Sequence, residues 1–184
     1  MQAKQAIWLL SDGRSGSTWF AELLDFHGCF HVEHEPIHCM FNPLLTPEPL
    51  LPLPSSRHIQ TRYQPLMQDV LSGRYRSRRF GPPTYDHDGI VIRDIHGFFI
   101  APQMLQLFPD LRPVVLVRHP AEVAASKMAL SNWHWFSDVR RFLSDEAIIA
   151  NLGDLAQYVA RADTLFQRYV IGWAVMHHYF FTQI

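Results

Sequence analysis

Lysine is nearly missing from this chain: Lys4 and Lys127 are its only two in 184 residues. Arginine carries the positive charge and leaves a formal net charge of -1, which gives no electrostatic reason to bind nucleic acid. Cysteine is equally scarce. Cys29 and Cys39 make no disulfide framework, no CxxC pair occurs, and nothing resembles a secretory leader, so the expected compartment is the reducing cytoplasm. No apolar run approaches the roughly 18–20 residues of a membrane span. What is present is 48% hydrophobic residues, enough for one domain over 1–184 with a sizeable core.

Short apolar runs alternate with helical patterns. The segment 6–11 reads as a buried strand, and 17–26 as a helix turning Trp19, Phe20, Leu23 and Leu24 inward. Strands are expected at 29–33, 89–95 and 112–120, the last ended by Pro120 at the first turn of another helix. Helices are expected over 62–72 and 101–108, and one long helix or two over 154–182. The prolines of 41–56 forbid a regular helix or a central strand there. This alternation predicts an α/β domain, a three-layer parallel sheet with flanking helices and its ligand site off the carboxyl ends of the strands. Arg14, Glu35, His96 and Arg118 all fall at such ends.

Two stretches carry anion-binding chemistry. In Ser11-Asp12-Gly13-Arg14-Ser15-Gly16-Ser17-Thr18-Trp19 a strand passes through a Gly/Ser turn into a helix, so that backbone N–H groups and the positive helix end converge on an anion. It is not a Walker loop. Ser11 stands where the first glycine would be, Ser17 where the lysine would be, and the nearby cation is Arg14. A plain strand-to-helix turn with a serine cap is the bland alternative. The second stretch is Val115-Leu116-Val117-Arg118-His119-Pro120, with Ser126 in the following helix. An arginine leaving a buried strand beside a helix start and a hydroxyl makes a phosphate clamp.

Arg14-Ser-Gly-Ser-Thr-Trp19 followed far downstream by Arg118-His119-Pro120 and Ser126 resembles the sulfotransferase family that uses 3′-phosphoadenosine 5′-phosphosulfate (PAPS). The first motif is similar to that family's 5′-phosphosulfate loop, in the bacterial and carbohydrate-type version with arginine in place of lysine. The second is similar to its 3′-phosphate site, RxPxxxxxS. The resemblance runs from residue 6 to about 130. It implies a P-loop NTPase-like sulfotransferase fold. Arg14, Ser15, Gly16, Ser17 and Thr18 would hold the 5′-phosphosulfate, and Arg118 and Ser126 the 3′-phosphate. Trp19 would lie near the adenine or in the core.

Sulfuryl transfer spreads charge over non-bridging oxygens, so positioning and fixed positive charge do most of the work, and no metal is expected. The acceptor, a hydroxyl-bearing saccharide or small molecule, needs a general base. Glu35, in the Glu-Pro that resembles one in arginine-loop members, is the first candidate. His96, placed before Arg118 much as a catalytic histidine is in the cytosolic branch, is the second.

Other readings stay open. His27, Cys29, His31, His34, His38 and Cys39 crowd residues 27–39, yet their spacing matches no zinc pattern. A P-loop kinase would need the missing lysine. The family continues with a further strand, so a chain stopping at Ile184 is expected to be truncated, with its activity uncertain. Arg74, Arg76, Arg78 and Arg79 suit either a solvated face or an acceptor lid, and Trp133 to Phe136 either core packing or stacking on an acceptor.

Overall fold

A computed structural model describes residues 5–38, 59–75, 87–133, 137–144 and 146–184. Strand β1 (Gln5–Ser11) lies inside a four-stranded sheet with β2 (Phe30–His34), β3 (Gly89–Asp94) and β4 (Leu111–Leu116), in the order β2-β3-β1-β4. Every pairing is parallel. Alternation along β1 sends Trp8 and Leu10 to one face and Ile7 and Leu9 to the other, and both faces are covered.

On the Leu9 face sits helix α1 (Ser17–Leu24), packing Phe20, Ala21 and Leu24 against Leu9 and Val91. On the opposite face lie a 3-10 turn (Gly97–Phe99), α2 (Gln64–Leu71, entered through a π-helical turn at Ile59–Tyr63), α3 (Ala101–Leu107) and α4 (Pro120–Met128). A 3-10 segment (Val139–Ser144), α5 (Glu146–Leu152), α6 (Leu155–Ala160) and α7 (Leu165–Gln183) complete the described chain. Helix α7 runs along α4 and sends Met176 and Phe180 into the larger core cluster with Trp8, Phe98 and Met104.

Several sequence expectations need correction. Trp19 is 66% and Leu23 50% exposed, because α1 turns its Phe20, Ala21 and Leu24 side to the sheet. Phe26, in the turn just past α1, is exposed as well. The fourth strand is not deeply buried. It ends at Leu116, and Arg112 and Pro113 are exposed on the free edge of the described sheet, where a proline costs no ladder hydrogen bond. Of the two expectations for 154–182, one long helix or two, the structure has two, because Thr164 starts α7 with a capping box. Its hydroxyl accepts from Gln167 N at 3.2 Å, and Gln167 Oε1 accepts from Thr164 N at 3.0 Å.

Order and connectivity locate the ligand end. The chain leaves β1 toward β2 on one side, whereas β3 sends it across β1 to β4 on the other. The switch point is therefore between β1 and β3, where open parallel sheets form a crevice beyond the strand ends. At the opposite end Gly89 is pinched between both neighbours. A Cβ there would stand 2.7 Å from the backbone oxygen of Gln5 and 2.7 Å from the Phe30 ring. Gly89→Ala is expected to lower stability by about 1–3 kcal/mol through this overpacking, read as a lower urea midpoint with an unchanged slope.

Candidate functional site

The turn from β1 into α1 is shaped by two residues in the left-handed region, Arg14 (φ 72°) and Gly16 (φ 92°). Ser15 N donates to Asp12 O at 3.2 Å, and Phe20 N donates to Gly16 O at 3.1 Å as the helix begins. Gly16, not a serine, is the N-cap, and no described side chain caps the helix. The orphan N–H groups of the first turn are thus left for an outside acceptor. Ser15 Oγ is also buried without a partner among the described residues. An orphaned hydroxyl beside an uncapped helix start fits an anion. Ser17 lies at the helix start and Thr18 is exposed next to it.

The second motif meets the first. Arg14 Nε donates to Ser126 Oγ at 3.2 Å, and Arg118 Nη1 donates to the backbone oxygen of Arg14 at 3.2 Å. Arg118 is not buried as the sequence suggested. Its side chain is 43% exposed and its Nε donates to Glu122 one helical turn on, at 2.9 Å, because β4 ends before it. Arg14, Arg118 and Ser126 thus form one polar surface beside the turn, while Trp19 points outward from α1.

Underneath lies a contact that no sequence motif announced. Lys127 Nζ donates to both carboxylate oxygens of Asp12 at 2.7 Å, with the two side chains 1% and 0% exposed. Burial pushes Asp12 up from its ordinary range and Lys127 down from its own, and their mutual attraction opposes both shifts. Trp133 and Tyr169 close over the ammonium, their ring centroids 5.8 and 5.4 Å from it. The Trp133 ring also leaves no room for a side chain at Gly13, whose Cβ would stand 2.4 Å from it. Trp133 therefore packs, half-buried, against Gly13 and the buried pair. The stretch 134–136 lies outside the described residues, as do Arg76, Arg78, Arg79 and Cys39, and Arg74 pairs with Asp69 on the surface.

At the ends of β2 and β3 one arginine does the joining. Arg93 donates from Nε to His34 Nδ1 at 3.1 Å, from Nη1 to Ser17 Oγ at 3.1 Å and from Nη2 to Glu35 Oε1 at 2.5 Å. Glu35, almost buried, is at φ 48°, so among the described residues the non-glycine left-handed positions are Arg14 and Glu35. Such backbone costs on the order of 1–3 kcal/mol and gathers at functional sites. His96 is buried, and that burial, with His38 beside it, holds its imidazole well below the usual range. Asp94 is driven well above its ordinary value by burial, and its Oδ1 accepts from His96 N at 3.2 Å. The expected bases Glu35 and His96 are thus neighbours, joined by His38, whose ring centroid is 4.3 Å from that of His96. Of the other residues in the 27–39 stretch, Cys29 is an exposed free thiol and His31 bonds Glu33 at 3.2 Å.

Comparison of the chain with protein-family models, with curated proteins and with solved structures found no match. Among the described residues no helix is long and apolar enough to cross a membrane.

The buried pair makes its own prediction. Lys127→Met strands the Asp12 carboxylate and is expected to cost about 3–5 kcal/mol, whereas Lys127→Met with Asp12→Leu should recover most of it. Denaturant unfolding of the two single variants and the double variant checks the coupling. Additive losses would show that the pair is not a unit.

Proposed function

We propose that the protein is a PAPS-dependent sulfotransferase acting on a hydroxyl acceptor, a saccharide or a small molecule, with a P-loop-like sulfotransferase fold. One observation carries this reading. Two candidate anion-binding elements far apart in sequence touch beyond the ends of β1 and β4, through Arg14 to Ser126 and Arg118 to the Arg14 carbonyl. A donor with a phosphosulfate at one end and a 3′-phosphate at the other needs such a pair. The uncapped α1 and the orphaned Ser15 hydroxyl support the first half.

In this reading Arg14, Ser15, Gly16, Ser17 and Thr18 cradle the phosphosulfate, and Arg118 and Ser126 take the 3′-phosphate, Arg118 exchanging Glu122 for it. The acceptor oxygen attacks sulfur in line as the bond from sulfur to the 5′-phosphate oxygen breaks, leaving 3′,5′-adenosine bisphosphate. Arg14 stabilises the charge gathering on the leaving oxygens but gives no proton, because guanidinium stays protonated. The acceptor proton passes to Glu35, which Arg93 orients through Oε1, with His96 the second candidate. A kinase reading loses support from Lys127, whose ammonium is turned inward to Asp12.

Calorimetry should find 3′,5′-adenosine bisphosphate bound in preference to ATP with Mg²⁺; the reverse preference would end this reading. Arg118→Ala is expected to weaken the bisphosphate by roughly tenfold to a hundredfold, the worth of a charge-assisted hydrogen bond. Arg14→Ala should lower kcat by about 10²–10³ with a smaller effect on binding. Full activity in Glu35→Gln together with none in His96→Gln would move the base to His96.

A further inference from the structure

The turn after β2 and the end of β3 bring together a donor set of which the proposed transfer uses only one member, as a base. Glu35, His38 and His96 each offer one ligand atom, and these atoms lie within 4.8 Å of one another. The spacing of the histidine-rich stretch concealed this, because the third donor comes from another strand. We infer that Glu35, His38 and His96 form a binding site for a divalent transition metal of the zinc class. The inference goes beyond the sulfotransferase reading and stands without it.

Two imidazoles and a carboxylate are a recurrent zinc set that leaves a fourth position open. Bonds of about 2.0–2.2 Å in a tetrahedral arrangement put donors about 3.4 Å apart, so the group has at most about 1.4 Å to close from its 4.8 Å limit. Side-chain rotation spans that distance. The backbone around the donors is already fixed. Glu35 N donates to Arg93 O at 2.7 Å, His38 N to Glu35 O at 2.9 Å, and His96 N to Asp94 Oδ1 at 3.2 Å.

Glu35 also has the outer partner that metal-binding carboxylates commonly show. Arg93 holds Oε1, and the carboxylate has a second oxygen to give an ion. The surroundings hold charge of both signs, with the Arg93 guanidinium on Glu35 and buried carboxyls close by. The buried carboxyl of Asp94 accepts from His96 N and has a second oxygen without a hydrogen-bond partner among the described residues. An ion here would take the lone pairs that a base at Glu35 or His96 uses, so the metal-bound and base-competent states exclude one another.

The test titrates the whole chain, freed of metal by a chelator, with Co²⁺ and then Zn²⁺. One equivalent of Co²⁺ is expected to give the visible bands of a four- or five-coordinate ion, and Zn²⁺ to abolish them. His38→Ala, at a half-buried position, and Glu35→Gln should each weaken Co²⁺ by more than about a hundredfold, beyond the loss of an outer partner. Circular dichroism confirms that each variant is folded, so His96→Gln is not needed for the decision. Absence of bands in the parent chain, or bands that persist in both variants and vanish in Cys29→Ser or His27→Ala, would overturn the inference. Because no nucleotide is present, the result is independent of the bisphosphate measurement.

Discussion

A buried lysine holding a buried aspartate sets the geometry on which the site depends. Asp12 is the first residue past β1, and Lys127 sits in α4 beside Ser126. Joining their charged ends fixes the β1 turn against the helix that carries Ser126. An isolated charge in such surroundings would be strongly disfavoured; two charges at 2.7 Å, bonded through both oxygens and roofed by Trp133 and Tyr169, are tolerated. The pair is weak evidence for net stability but strong evidence for register. Without it, nothing in strand order alone would bring Arg14 within 3.2 Å of the Ser126 hydroxyl.

Arg93 plays the matching part on the other side of the turn. Its three nitrogens address a histidine at the end of β2, a serine at the start of α1 and a carboxylate just past β2. A lysine could not make this fork, since one ammonium cannot present three coplanar donors in fixed directions. The strained backbone at Arg14 and Glu35 fits the same account: each residue is held by neighbours that outweigh its local preference. Arg14 is held through its carbonyl by Arg118 and through its side chain by Ser126, and Glu35 is held by Arg93 at both backbone and carboxylate.

What was legible in the sequence follows from how local each signal is. The strands at 6–11 and 89–95 were readable because a parallel strand covered on both faces is a continuous apolar run. The turn from β1 into α1 was readable because its Gly and Ser residues favour such a turn where they stand. The inward face of α1 was misjudged because its apolar residues go nearly all round, and only the sheet decides which are covered. Arg118 was expected to be buried because four apolar residues precede it, yet the strand stops at Leu116 and lies at the described edge. Lys127 gave no signal at all. At a helix end it reads as a solvated cation, and its partner is set by tertiary packing across 115 positions. Its one hint was rarity, since a chain that otherwise uses arginine, apart from Lys4, keeps lysine at this point.

The two ends of the crevice are mechanically linked, and this bears on how any ligand would be felt. Ser17 belongs to the proposed cradle and Glu35 to the opposite wall, and both hang on the same guanidinium plane. An anion that draws the Ser17 hydroxyl toward itself must lengthen or rotate its bond from Arg93. The planar fork transmits that rotation to the Glu35 carboxylate, because Nη1 and Nη2 cannot move independently. The cost of adjustment is lowest for a ligand that leaves Ser17 accepting from Arg93 while its hydroxyl proton turns to the anion. Ser17 can do both at once, having one proton to donate and lone pairs to accept, which a lysine in that position could not. The serine that spoils the Walker pattern is therefore what allows one arginine to serve both walls.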